Sequence, residues 1–375
     1  MPPPDDFGFS PVATLAHVAE LTPATMHRPF WNQWRERLSA CTPRLLPAEP
    51  EDPADPTATH QFESLGSVRI GCALGLPPAG TPVRAGLVTT HGYQGREPLE
   101  HATRRWRNLT ARGVAVLVLR VRGYPGSQLD VGDWTGDPAS LGWITHGFPA
   151  SLQRSDDALA WSLPLAVADV ACGARALHEW LRSRAKTKTS TPLPIFLHGE
   201  SFGGGLAVMA AAQMPAGFMR FERLALALPT FGDWAWRLAE PSRMAFGAGA
   251  HLRTLLRSIA PPDALDTLRL CDAAIHAERV LVPTLCKLAL RDEVVPAPAA
   301  AAVYNALGAD PGHKWRFLVP EGHTEPSLAC ARRHALFERC MTDFLDPAND
   351  PAEAMTPWEP MLVEGDHAPK ANRNF

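Results

Sequence analysis

Three residue types in this 375-residue chain are spaced as a hydroxyl nucleophile, its acid and its base would be. Ser201 stands in Gly199-Glu200-Ser201-Phe202-Gly203, a G-x-S-x-G pattern. A short apolar run, Ile195 to Leu197, precedes it, and a helix-forming run, Leu206 to Met214, follows and is closed by Pro215. Strand, tight turn and helix in that order make a nucleophile elbow. A Cβ at Gly199 or Gly203 would strike the neighbouring strand or helix. The turn lifts Ser201 Oγ above the sheet edge and sets the Phe202 N–H at a helix start, where it can donate to a developing oxyanion. The plainer alternative is a glycine-rich turn whose serine only caps the helix. Gly203-Gly204-Gly205 is a poor phosphate loop, because no Lys-Ser/Thr follows it.

A serine hydroxyl needs a base near neutral pH. His323 is the candidate, in a Gly-His turn after the last apolar strand run. Asp292, directly after another strand run in an Asp-x-x-Val-Pro turn, is the candidate orienting acid, which would fix the imidazole tautomer and stabilise the imidazolium. Chain order Ser, Asp, His agrees with the elbow. Asp292 could instead cap the helix expected over 297–307; Glu293 is its nearest rival, with Asp272 and Asp266 behind. Most of the 14 histidines must be structural or solvated. His198 lies inside the elbow strand and reads as packed; His146 stays unassigned. A second oxyanion donor is the Tyr93 amide in His91-Gly92-Tyr93, after an early strand, unless that stretch is a simple turn about Gly92.

These residues need a frame that gathers them. Residues 1–60 carry one helical signal, Trp31, Trp34 and Leu38 on one face, and an acidic, proline-rich linker over 48–59. From 61 to 346 strands alternate with helices. Ser67–Leu76 reads as an edge strand; Ala85–Thr90 and the run after Gly113 read as central ones. Helices are expected over 98–112, 165–184, 297–307 and 327–345. Insertions at about 127–164 and 229–278 break the rhythm, the second as a helical cap. Residues 347–375 read as an extended or disordered tail with Trp358 as a docking point. The fold class is α/β, an α/β-hydrolase fold with a mostly parallel doubly wound sheet, whose ligands sit beyond the carboxyl ends of the strands. Trp134, Trp143, Trp234 and Trp236 in the insertions either line a pocket for a sugar ring or pack the insertions.

Composition narrows the partners. A formal net charge of -3 gives no reason to expect nucleic acid or an anionic membrane, and no apolar run is long enough to span a bilayer. The start, MPPPDDFGFS, has no basic or apolar leader, and seven unpaired-looking cysteines fit a reducing compartment, so a cytoplasmic location is expected. No Cys/His grouping has zinc spacing, and neither metal nor other cofactor is expected.

Several motifs in order resemble the acetyl-xylan esterase and cephalosporin-C deacetylase family of α/β-hydrolases: the Phe30–Trp34 helix, His91-Gly-Tyr, Arg122-Gly123 with Gly126-Ser127 and Asp130, Gly142-Trp143-Ile-Thr-His-Gly147, Gly-x-Ser-x-Gly-Gly-Gly-Leu-Ala at 199–207, and Ala301-Ala-Val-Tyr304-Asn305. The resemblance, over about residues 30–345, implies Ser201, Asp292 and His323 as a triad and the Tyr93 and Phe202 amides as the oxyanion hole. It also implies deacetylation of sugars and related alcohols, a small-molecule ester substrate, no metal, and a homo-oligomer. Three positions depart from the family pattern: Tyr124 and Phe202 where it has Gln, and Thr324 where it has an acidic residue. They put the substrate, not the triad, in question, and Arg122 is expected to make structural contacts. Two rival readings are a prolyl-oligopeptidase-like peptidase, for which about 60 residues before the first strand supply no gating domain, and a non-catalytic hydrolase-fold binding protein.

Overall fold

The structure, a computed structural model, describes residues 5–48, 58–95, 97–128, 142–184, 192–324 and 327–362. An N-terminal arm carries α1 (Pro11–Ala16) and α2 (His27–Ser39). α2 buries Phe30, Trp31, Trp34 and Leu38, the stripe its spacing predicts. Three strands follow, β1 (Leu46–Pro47), β2 (His60–Ser64) and β3 (Val68–Gly75), and then β4 (Ala85–Thr90). Two short helices, α3 (Leu99–Arg104) and α4 (Arg107–Thr110), lead to β5 (Val114–Leu119). The single helix expected over 98–112 is thus broken at Arg105-Trp106, where Trp106 turns into the core.

Every residue of β4 and β5 is buried, as befits parallel strands covered on both faces. After the first insertion comes α5 (Ser162–Arg184), then β6 (Ile195–Glu200), α6 (Phe202–Gln213) and β7 (Phe221–Ala227). The second insertion holds α7 (Trp234–Ala239), α8 (Gly247–Leu256), α9 (Pro261–Arg269) and α10 (Ala273–Ala277). The sheet resumes with β8 (Thr284–Ala289), α11 (Ala297–Ala306), β9 (Lys314–Val319) and α12 (Leu328–Phe344).

The nine strands run in the order β1-β2-β3-β5-β4-β6-β7-β8-β9. β5 to β9 are mutually parallel, and β1 to β3 add antiparallel pairs on one side. β3 is therefore not an edge strand, as its alternation suggested: it lies between β2 and β5. Two apolar clusters pack the two faces, one including α2, α5, α6 and α10, the other including α3, α4 and α12. The sheet winds outward in both directions from β4 and β6, which pair with Thr90 opposite Gly199. That switch point opens a crevice where ligands bind in such sheets.

The tail departs from expectation as far as residue 362. It folds into α13 (Pro351–Met355), a 3-10 turn at Thr356–Trp358 and α14 (Glu359–Leu362). Asp350 caps α13, Met355 and Trp358 are buried beside α12, and Trp358 Nε1 donates to Asp343 at 3.1 Å. Residues 363–375 lie outside the described residues, as do 49–57 of the linker. No helix among the described residues is long and apolar enough to cross a membrane.

Candidate active site

Ser201 sits between β6 and α6 with φ 54° and ψ -116°, a conformation that costs a non-glycine residue energy and that the surroundings must impose. They do so through the backbone. Ser201 N–H donates to Ala227 O at 2.7 Å, and Ser201 O accepts from Gly204 N at 3.0 Å and Thr230 N at 3.2 Å. A Cβ on Gly199 would lie 2.1 Å from Gly203 O, and one on Gly203 would lie 3.0 Å from His91 O. The two glycines thus let strand, helix and the neighbouring β4 loop close on one another. The serine side chain makes no capping bond to α6, so the helix-cap alternative does not describe it.

Asp292 and His323 come together at the ends of β8 and β9. Asp292 Oδ2 is 2.8 Å from His323 Nδ1, and its Oδ1 accepts from Val294 N and Val295 N, each at 2.8 Å. Asp292 is 1% exposed and His323 is 16% exposed. A carboxylate can only accept, so Nδ1 carries the proton and Nε2 is left with its lone pair. Burial draws the His323 pKa down, but the charge and hydrogen bond of Asp292, with Glu200 and Glu293 behind, outweigh it and hold the pKa above the usual histidine value. Among the described residues no hydrogen bond yet joins Ser201 Oγ to His323. In unliganded sites that contact is often loose and tightens with substrate.

The rival acids have other duties. Glu293 Oε2 accepts from His323 N at 3.2 Å. Asp272 accepts from the amides of Asp233, Trp234 and Ala274, and Asp266 binds Thr25. His198 is buried, with Nδ1 2.8 Å from Thr89 Oγ1 and its ring against Trp106; burial pushes its pKa down to about 3.

The Tyr93 and Phe202 amides flank the crevice, at the loop after β4 and the first residue of α6. Phe202 is buried amid His91, Tyr93, Tyr124, Trp143 and Phe231. Phe202 thus sits within an aromatic cluster. Trp143 and Trp234 are fully buried, their indole N–H groups donating to Arg122 O at 2.8 Å and Cys271 O at 3.4 Å. They pack the insertions. Trp236 packs on Phe7 and Phe9 of the N-terminal arm; Trp134 lies outside the described residues. Arg122 forms a buried pair with Asp169, Nη2 to Oδ1 2.7 Å, which also accepts Ser64 Oγ at 2.6 Å.

Glu200, beside the nucleophile, was not singled out by its sequence position. It binds Lys287 Nζ at 3.0 Å and Arg105 Nη1 at 2.9 Å, and Lys287 reaches His334 Nδ1 at 3.1 Å. Although burial alone would raise the Glu200 pKa, these two cations hold it well below the ordinary value. Among the described residues no group of three or more His, Cys, Asp or Glu is placed to hold a metal ion.

A strained serine at a β–α turn on a mostly parallel sheet, with an Asp–His pair at the ends of two later strands of that sheet, defines an α/β-hydrolase. The acetyl xylan esterase (AXE1) family model matches residues 27–325, so the chain belongs to that family and is a carboxylic ester hydrolase. Similar solved structures include acetyl xylan esterase 1 from Thermoanaerobacterium sp. JW/SL YS485, 19% identical over 88% of this chain and 98% of that one, TM-score 0.61. The acetyl xylan esterase from Paenibacillus sp. R4 is also 19% identical, over 88% and 99%, TM-score 0.63. Acylaminoacyl peptidase from Pyrococcus horikoshii shares the fold at 14% identity, over 82% of this chain and 42% of that one, TM-score 0.52. No curated protein matches at a significant level.

Proposed function

We propose that the chain is a serine esterase that removes short acyl groups, chiefly acetyl, from sugars or related alcohols through an acyl-enzyme. His323 Nε2 takes the Ser201 proton as Oγ attacks the ester carbonyl, and the Phe202 and Tyr93 amides receive the oxyanion. The imidazolium then protonates the leaving alkoxide. Water, activated by the same Nε2, attacks the acyl-enzyme and releases the acid. Asp292 holds the ring and offsets its charge at each stage. The observation that carries this reading is the 2.8 Å Asp292–His323 bond at the ends of β8 and β9, together with a Ser201 at φ 54° in the turn after β6 whose hydroxyl caps no helix. None of the seven cysteines is in a disulfide, which supports a reducing, cytoplasmic setting; a homo-oligomer belongs to the same proposal and is checked by light scattering.

Ser201→Ala should lower turnover of a short-chain aryl ester by about 10⁶-fold. Wild-type turnover in that variant would end the assignment. A series from acetyl to octanoyl esters measures the depth of the acyl pocket, with the fastest turnover expected at acetyl. An aryl acetate compared with a peptide amide separates esterase from peptidase.

A further inference from the structure

We propose that His91 and Tyr124 are positioning residues that set the Tyr93 oxyanion donor from both sides, an inference that rests on the esterase reading above. The Tyr93 N–H belongs to the Gly92–Tyr93 peptide, whose carbonyl is Gly92 O. Across a trans peptide these two groups point in opposite directions. His91 Nδ1 is 2.7 Å from Gly92 O, and His91 Nε2 is 3.2 Å from Val121 N. The Val121 amide can only donate, so Nε2 accepts and Nδ1 carries the proton. His91 therefore donates to Gly92 O. That bond draws the carbonyl to one side, turns the Tyr93 N–H to the other, and polarises the same peptide as it does so.

The next peptide is held as well. Tyr124 Oη donates to Tyr93 O at 2.5 Å. Tyr124 is 1% exposed, and its ring centroid lies 4.2 Å from that of His91. A Cβ at Gly95, where φ is +57°, would come within 2.5 Å of the Tyr124 ring, so the loop can only close over it with glycine there. Further along, Arg120 donates to the carbonyls of Gly95 and Glu97. The peptide planes on both sides of Tyr93 are thus each fixed by a side chain, and neither of those side chains would touch the reacting atoms.

The arrangement works only with a neutral His91, because an imidazolium would aim an N–H at the Val121 N–H. Enclosure by the surrounding rings pushes the His91 pKa down to about 3, partly offset by Gly92 O. The ring therefore stays neutral throughout the range in which His323 titrates.

The test is steady-state kinetics on an aryl acetate with Tyr124→Phe, His91→Leu and His91→Asn, each checked for wild-type circular dichroism. Tyr124→Phe keeps the ring and should lower kcat about tenfold; His91→Leu should lower it roughly ten- to hundredfold. KM should stay within about twofold, because the donor acts on the transition state. His91→Asn, whose amide can donate from near the Nδ1 position, should recover most of the loss. The inference is overturned if kcat in Tyr124→Phe and His91→Leu stays within twofold of wild type, if KM rises instead, or if His91→Asn is no better than His91→Leu. A wild-type protein that neither turns over the ester nor forms a covalent adduct at Ser201 would sink the esterase reading itself, so the two failures are distinguishable.

Discussion

Two histidines stand at the carboxyl edge of one sheet, His91 after β4 and His323 after β9, and their surroundings push them in opposite directions. Around His323 the side chains are anionic: Asp292, Glu293 and, further back, Glu200. Its pKa rises and its Nε2 is left free. Around His91 the neighbours are rings, backbone groups and, nearby, the Arg120 cation; both nitrogens are engaged, and its pKa falls to about 3, chiefly by burial. Burial works against the charged form of both; what differs is whether a carboxylate answers it. In the proposed mechanism the same residue type serves as a titrating base on one side of the crevice and as a fixed neutral strut on the other. Net charge could not have told them apart, nor could their flanking sequence, since both lie beside glycine.

The comparison breaks most severely where the carboxylate is removed. Asp292→Asn should lower kcat by about 10⁴-fold, because an amide can favour the wrong imidazole tautomer; a loss under tenfold would detach Asp292 from the reaction. The His91 and Tyr124 variants come next, at ten- to hundredfold. Then comes acid lability. His91 and His198 have folded pKa values of about 3 and His27 and His334 of about 4, all lowered chiefly by burial, against 6.5 for a free histidine. For such groups the folded state binds fewer protons than the unfolded one. Their contribution is complete above about 6.5 and is lost as pH falls toward 3 to 4. Urea midpoints should decline steadily from pH 7 to 4; a flat trend would mean these rings are not held neutral. The smallest effect is Glu200→Gln. Removing one of the anions that raise the His323 pKa should move the ascending limb of kcat/KM to lower pH. A shift to higher pH would contradict the electrostatics of that side.

Much of this frame was legible in the sequence, and the failures share a cause. β4 and β5 announce themselves because every residue is apolar or small and both faces are buried. The elbow is legible because Gly199 answers to Gly203, four residues on, although Gly203 itself answers to Thr90 and His91 at the end of β4. The strands outside β3 were not: β1 has two residues, and in β2 only Phe62 and Ser64 are buried, so neither carries a periodic signal. The tail reads as polar and proline-rich with Trp358 as a docking point, and Trp358 does dock beside α12; the short helices around it and the burial of Met355 are what no local pattern encodes. Trp143 and Trp234 were ambiguous for the same reason, since an indole in an insertion suits a pocket or a core equally. The Tyr124–Tyr93 bond spans 31 residues and joins the loops after two neighbouring strands. Only the pairing of β4 with β5 brings those loops together.

The most direct measurement is the site and pH dependence of covalent labelling by a fluorophosphonate, read by peptide mass spectrometry, in the wild type and in His323→Ala. The account predicts a single adduct on the peptide containing Ser201, forming faster as pH rises through the His323 titration, and almost none in the variant. An adduct at another residue, or an equal labelling rate in His323→Ala, would contradict it.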